Sequence, residues 1–222
     1  MHLIAKIDDS SHGGVMVEIM DNDNQVEKKI IKVKDFVDAL TTSVKQNGEF
    51  FRVGKMPYGY YDSMFSNLEE NSFKCVIIIP KGKQIVQYKD ITLSIPFPSL
   101  VFYFEVKNGN VTISSCYAIK DEIPNDRSPL YRYPFGNVYK SGSICWGANH
   151  LKDISNIKEL EYIITLFYCL PTNNDLYSCG TSVAVNDITL NLHGFYTKLQ
   201  EMSCFPENLL LNADKELGML LV

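Results

Sequence analysis

The most informative segment of the sequence lies in the second half of the chain and reads Asn137-Val138-Tyr139-Lys140-Ser141-Gly142-Ser143-Ile144-Cys145-Trp146-Gly147. Glycines stand on both sides of Cys145, and glycine allows tight turns and the close approach of another chain. A thiol in such surroundings is better exposed than one inside an apolar helix, and a nucleophilic cysteine must first be exposed. The alternative is a buried cysteine packed beside Trp146, and on this local context alone burial is the more common situation.

The sequence before this stretch is rich in strand-forming residues. A strand is predicted over residues 73–79, and Asn108-Gly109 between two β-rich runs predicts a hairpin from 100 to 119. Prolines make 95–98 a stiff extended connector, and the polar segment 121–133 is predicted to be an irregular loop.

Two helices are predicted after Cys145. The first covers 155–170, with Ser155 as its N-cap and apolar residues at helical spacing, and the segment 171–175 breaks it. The second covers 190–202. Together with the strands, this order of elements indicates an α+β domain.

The N-terminal part reads as a small antiparallel meander. Three strands are predicted, at 3–7, 15–20 and 28–33, and a helix follows at 33–45, with a buried stripe formed by Val33, Phe36, Val37, Leu40 and Val44. Residues 52–72 are predicted to be a loop with a short strand. We therefore expect a β extension over 1–33 and one domain over 34–222, packed as a single compact unit.

Composition excludes several classes of function. Apolar residues make up 45% of the 222 residues, and the net charge is -5 with a pI of about 5.4, so nothing favours nucleic acid or an anionic membrane. No export signal or membrane-spanning stretch is visible, so we expect a soluble cytoplasmic protein.

The six cysteines are widely spaced and form no Cys-x-x-Cys pair, which favours free thiols, and the scattered cysteines and histidines argue against a zinc site. Cys75, Cys116 and Cys169 stand in apolar segments and are predicted to be small core residues.

The segment from Asn137 to Cys145 resembles ubiquitin-conjugating enzymes, in which a His-Pro-Asn motif precedes an extended segment that ends in Gly-x-Ile-Cys, with the same eight-residue step. A narrower resemblance, over roughly 96–206, is to prokaryotic ubiquitin-conjugating-enzyme-like family D, also called PRTRC system protein B; it includes the segments 95–102 and 128–135. It implies an antiparallel meander with flanking helices. Phe135-Gly136 stands where the eukaryotic motif has His-Pro, a departure that the prokaryotic family shares.

This resemblance implies a bacterial conjugating enzyme without a cofactor. A ThiF-type activating enzyme would deliver a ubiquitin-like protein to Cys145 as a thioester, and the enzyme would pass it to an unidentified protein target. Asn137 would donate to the oxyanion or hold the loop as a turn residue, and Asp175 would deprotonate an incoming lysine or simply form a turn.

The remaining candidates have weaker support from the sequence. Tyr133 and Tyr139 are candidates to line the channel for the modifier's tail, and Trp146 is expected to pack beside the nucleophile. His150, five residues after Cys145, is a candidate to tune the thiol, although a surface histidine without a role is the more common case.

Two other functions stay open. The first is a non-catalytic module that binds a ubiquitin-like protein through the same fold. The second is a cysteine hydrolase, which needs a histidine base such as His193 beside Cys145.

Overall fold

The structure, a computed structural model, describes residues 2–7, 14–21, 24–32, 34–38, 55–67, 71–178, 180–184 and 191–222. Contacts between residues divide the chain into two compact units, Met1–Val53 and Gly54–Val222. The boundary predicted between residues 33 and 34 falls inside the first unit, and the assignment of an extension and a domain stays a prediction. Within the described ranges, no helix is long and apolar enough to cross a membrane.

The first unit contains the predicted meander. Its three antiparallel strands are β1 (His2–Ile7), β2 (Gly14–Asp21) and β3 (Asn24–Lys32). Residues 34–38 are helical (α1), and the rest of the helix predicted over 33–45 lies outside the described residues. Val37, which was predicted to belong to the buried stripe, is exposed.

A six-stranded antiparallel sheet forms the centre of the second unit, in the order β11-β10-β9-β8-β5-β4. Its strands are β4 (Tyr60–Asn67), β5 (Ser72–Ile79), β8 (Ser99–Lys107), β9 (Asn110–Ile119), β10 (Pro129–Arg132) and β11 (Asn212–Glu216). The α+β class is confirmed.

The β8–β9 hairpin is confirmed at its turn. Asn108 and Gly109 both have positive φ, 50° and 78°, which is the backbone that a two-residue type I′ turn requires. A second hairpin, β6 (Gly82–Tyr88) with β7 (Ile91–Phe97), lies between β5 and β8 in the chain.

Two predicted irregular segments belong to strands. Residues 95–97 end β7 and pair with β6, so the predicted connector at 95–98 is wrong, because Pro96 can extend a two-stranded ribbon. Residues 129–132 of the predicted loop 121–133 form β10, which pairs with β9 and β11.

Both helices predicted after Cys145 are shorter in the structure than the sequence pattern predicts. A 3₁₀ turn (Ile157–Glu159) leads into α2 (Leu160–Cys169), so Ser155 is not its N-cap. The last helix is α3 (Leu192–Gln200), and the Asn191 side chain caps it by accepting the Gly194 N–H at 2.8 Å. Residue 190 lies outside the described ranges.

The sheet buries side chains on both faces. Successive strand residues point to opposite sides, so Leu100, Phe102 and Phe104 of β8 join the main core, while Val101 and Tyr103 join a smaller cluster. The main core also takes the buried stripe of α2, formed by Leu160, Ile163, Ile164 and Phe167. Burial on both faces explains why β8 reads as an unbroken apolar run.

Candidate active site

Residues 137–145 close into a compact loop that ends at Cys145. The Asn137 carbonyl accepts the Cys145 N–H at 2.8 Å, and the Ser143 carbonyl accepts the Tyr139 N–H at 2.9 Å. At the tip, the Gly142 N–H donates to the Tyr139 carbonyl at 2.8 Å. Asn137 adopts a left-handed φ of 67°, a conformation that asparagine tolerates better than most residues. The eight-residue step therefore returns the chain to its starting point.

Backbone hydrogen bonds join this loop to the central sheet. β10 pairs with β9 at Tyr117 and Ala118, and the loop continues along β9 where β10 stops. The Cys116 N–H donates to the Gly142 carbonyl at 2.9 Å, and the Ile144 N–H donates to the Ser114 carbonyl at 3.0 Å. The backbone beside Cys145 is thus held by a rigid strand rather than by a free loop.

Cys145 opens into a surface groove of about 280 Å³. The thiol residue is half-buried, and Asn137 and Asp175 line the same groove. The other lining residues are Trp146, Gly147, Asn149, Leu170, Pro171, Asn173 and Leu176. Among these described residues Asp175 is the only charged one. All three predicted site residues therefore meet at one groove.

The opposite wall of the groove is the loop 171–175, which several contacts hold in place. Asn137 Nδ2 donates to the Pro171 carbonyl at 3.1 Å, so this side chain spans the two walls. The Thr172 N–H donates to the Gln87 carbonyl at 2.7 Å, which ties the loop to β6. A Cβ on Gly136 would lie 2.8 Å from the Asn173 carbonyl oxygen, so only glycine allows this approach.

The carboxylate of Asp175 is oriented by Asn173. The Asp175 N–H donates to Asn173 Oδ1 at 2.9 Å, and Asn173 Nδ2 donates to Asp175 Oδ2 at 2.9 Å. Asp175 is exposed and forms the turn that the simpler interpretation predicted. The same turn leaves its carboxylate in the groove that holds Cys145.

Phe135 takes the place of the histidine in the eukaryotic motif. Its side chain is fully buried, and five aromatic rings surround it at centroid distances of 4.6 to 5.9 Å: Phe97, Tyr133, Tyr196, Phe205 and Phe195. Aromatic pairs at such distances stabilise a core beyond their buried area. An apolar anchor therefore fixes the chain just before Gly136 and Asn137, where the eukaryotic enzymes have an imidazole.

The Phe135→Leu variant is expected to lower the free energy of unfolding by about 1–2 kcal/mol, because it removes ring contacts and leaves a small cavity. Chemical denaturation followed by circular dichroism measures this change. Tyr58→Leu, at a side chain that is 66% exposed, is the control and should cost less than about 0.5 kcal/mol. Equal effects of the two variants would contradict the role of Phe135 as an anchor.

The aromatic residues near Cys145 have different surroundings. Tyr139 is exposed, and its hydroxyl donates to Cys145 Sγ at 3.7 Å; this hydrogen bond raises the pKa of the Tyr139 phenol. Trp146 packs beside Cys145 as predicted, with Nε1 donating to Ser114 Oγ at 2.8 Å. Tyr133 is buried, with its ring packed against the rings of Phe135 and Phe167, so it is a core residue rather than a channel residue.

The histidine candidates lie elsewhere. His150 is exposed and is not among the residues that line the groove. His193 lies on α3 with its ring against Tyr88, at a centroid distance of 5.3 Å, and it does not line the groove either. The described part of the chain therefore provides no support for a Cys145–His193 pair.

The other described cysteines also help to distinguish Cys145. Burial raises the pKa of Cys75 to about 12 and raises that of Cys116 well above the ordinary value, so both are inert core thiols as predicted. Cys169 was predicted in the core but is exposed, because it lies off the buried stripe of α2. Among the described residues no cluster of histidine, cysteine and acidic side chains is suited to hold a metal ion.

Comparison with known proteins identifies the family. The family described as prokaryotic E2 family D matches residues 59–210, which is more than half of the 222 residues and includes Asn137, Cys145 and Asp175. No curated protein and no solved structure shows a significant match to the chain. The sequence resemblance and the family match agree, and the chain belongs to prokaryotic E2 family D.

Proposed function

We propose that this protein is a conjugating enzyme that carries a ubiquitin-like protein as a thioester on Cys145 and transfers it to an amine. The observation that supports this most strongly is the meeting of a half-buried thiol, an amide and a carboxylate at one groove, through Cys145, Asn137 and Asp175. A packing cysteine needs neither the groove nor these neighbours.

In the first step, the Cys145 thiolate attacks the thioester carbonyl that links the modifier's C-terminus to a ThiF-type activating enzyme. The new S–C bond forms as the carbonyl becomes a tetrahedral oxyanion, and collapse of the oxyanion expels the thiolate of the activating enzyme. The Asn137 amide lines the groove and carries two N–H groups, one of which is used by the Pro171 carbonyl. The second is suited to donate to the oxyanion.

In the second step, an amine attacks the thioester on Cys145 and forms an amide, and the Cys145 thiolate leaves. The attacking nitrogen must lose a proton, and a carboxylate at the groove is suited to accept it. Asn173 holds Oδ2 of Asp175 at 2.9 Å, which leaves Oδ1 to face the incoming amine. Thus Asp175 serves discharge and is not needed for charging.

A two-step assay tests this proposal. The protein is mixed with its cognate activating enzyme, the ubiquitin-like protein and ATP, and a gel with and without dithiothreitol measures the thiol-sensitive adduct. The isolated adduct is then given free lysine. We expect Asp175→Asn to charge normally and to discharge about 10- to 100-fold more slowly, while Asp153→Asn, at an exposed aspartate outside the groove, discharges at the wild-type rate.

Two outcomes would contradict the proposal in different ways. If the activating enzyme is charged but no adduct forms on this protein, a non-catalytic binding module is the better interpretation. If the adduct forms and Asp175→Asn discharges normally, the transfer activity stands and the base role of Asp175 is wrong.

A further inference from the structure

A tyrosine beneath the active-site loop makes two strong contacts that the proposed chemistry does not use. The hydroxyl of Tyr117, on β9, donates to the Ser141 carbonyl at 2.7 Å. The same oxygen accepts a hydrogen bond from Lys215 Nζ on β11 at 2.8 Å, and this ammonium also lies 5.1 Å from the centre of the Tyr117 ring. Donation from the charged ammonium polarises the Tyr117 hydroxyl and strengthens its hydrogen bond to the Ser141 carbonyl.

The ring of Tyr117 also fits the turn above it. A Cβ on Gly142 would lie 2.2 Å from Tyr117 Cζ, and the φ of Gly142 is 95°, in the left-handed region. The ring is only 2% exposed. Glycine at 142 therefore allows the turn to rest directly on the tyrosine, and the ring and hydroxyl together fix where the turn lies.

This turn carries the side chain that reaches the nucleophile. Tyr139 begins the turn that Gly142 closes, and its hydroxyl contacts Cys145 Sγ at 3.7 Å. The Tyr139 side chain is 49% exposed, so surrounding packing gives it little support. Its position over the sulfur therefore depends on the backbone of the turn.

We propose that Tyr117, assisted by Lys215, is a positioning residue that fixes the turn 139–142 and so keeps the Tyr139 hydroxyl on the sulfur of Cys145. This inference rests on the proposed function, since it concerns the reactivity of the same thiol. The thiolate is the nucleophile in such chemistry, and a hydroxyl held on the sulfur donates a hydrogen bond to it.

Alkylation of Cys145 tests the proposal without any partner protein. Iodoacetamide is added to the full chain near neutral pH, and mass spectrometry follows the peptide that contains Cys145. The exposed Cys169 is an internal control in the same samples. The variants are Tyr117→Phe, Tyr139→Phe and their double variant, with Tyr103→Phe as the matched control because its hydroxyl bonds Glu105 instead of the turn.

We expect Tyr117→Phe and Tyr139→Phe each to slow alkylation of Cys145 roughly three- to tenfold. Because Tyr117 and Tyr139 both act through the contact between the Tyr139 hydroxyl and Cys145 Sγ, the double variant should react within about twofold of Tyr139→Phe alone. Lys215→Met should have a smaller effect in the same direction. Tyr103→Phe and the Cys169 signal should not change.

Two results would overturn the positioning role. One is a wild-type rate for Tyr117→Phe, and the other is effects of the two tyrosine variants that multiply. None of these bears on thioester formation, which is measured separately with the activating enzyme, so a failure here is distinct from a failure of the proposed function.

Discussion

The Cys145→Ala variant is expected to form no thiol-sensitive adduct, a loss of at least roughly a thousandfold against wild type. The reason is chemical: the thioester needs a sulfur at the groove, and alanine supplies no nucleophile. The other described thiols cannot substitute, because Cys75 and Cys116 are fully buried and Cys169 and Cys204 do not line the groove. A non-reducing gel after incubation with the activating enzyme, modifier and ATP measures the adduct.

A matched control separates loss of the nucleophile from loss of the fold. Cys204→Ala removes an exposed thiol outside the groove and should charge at the wild-type rate. The circular dichroism and melting temperature of Cys145→Ala should match wild type. An adduct of normal intensity on Cys145→Ala would assign the chemistry to a different residue.

The second large effect is expected at Asn137, where Asn137→Gly should lower the rate of transfer about 10²- to 10³-fold, the usual cost of removing an oxyanion donor. Glycine is chosen because Asn137 has a φ of 67°, which alanine would adopt only with strain. The variant thus removes the amide and leaves the backbone relaxed. Single-turnover charging and discharge onto free lysine are measured separately.

Separate measurement of the two steps distinguishes the two roles open to this amide. An oxyanion donor serves both tetrahedral intermediates, so its loss slows charging and discharge alike. If Asn137 only holds the loop 171–175 in place, through its hydrogen bond to the Pro171 carbonyl, its loss would disturb Asp175 and slow discharge alone. Asn149→Ala, which removes another amide from the groove, should change either rate by less than about threefold. Wild-type charging by Asn137→Gly would exclude the oxyanion role.

Local signals in the sequence predicted the parts of the fold that depend on nearby residues. Asn108-Gly109 requires positive φ at two successive positions, and the structure has it. The segment from Asn137 to Cys145 was singled out by its resemblance to ubiquitin-conjugating enzymes, and in the structure its ends meet through one backbone hydrogen bond of 2.8 Å. Such features are set within ten residues, where turn chemistry dominates.

The elements that sequence reasoning missed carry no clear local signal. β10 is four residues long and lies in a polar, proline-bearing segment, and its strand conformation comes from pairing with β9 and β11. The β6–β7 hairpin turns at Lys89, with a φ of 50°, where glycine is absent. Tertiary pairing overrides local propensity at β10, whereas the β6–β7 hairpin is local and lacks the glycine that would have marked its turn.

The same limit applies to the site. Cys145, Asn137 and Asp175 were predicted from the family resemblance, but no pattern in the sequence indicates that the Tyr117 hydroxyl donates a hydrogen bond to the carbonyl of Ser141, 24 residues away. Phe135 was visible only as a departure from His-Pro, and its function as an aromatic anchor requires rings from β7, α3 and the segment after α3. Positioning residues act through long-range contacts, which a single sequence does not display.

Identifying the residue that is bonded to the modifier tests directly whether Cys145 carries it as a thioester. The wild-type adduct is formed with the cognate activating enzyme, digested at mildly acidic pH, and sequenced by tandem mass spectrometry. We predict that the modifier's C-terminal carbonyl is joined to the sulfur of Cys145 and that dithiothreitol releases it. A bond to any other residue, or no adduct while the activating enzyme itself is charged, would contradict it.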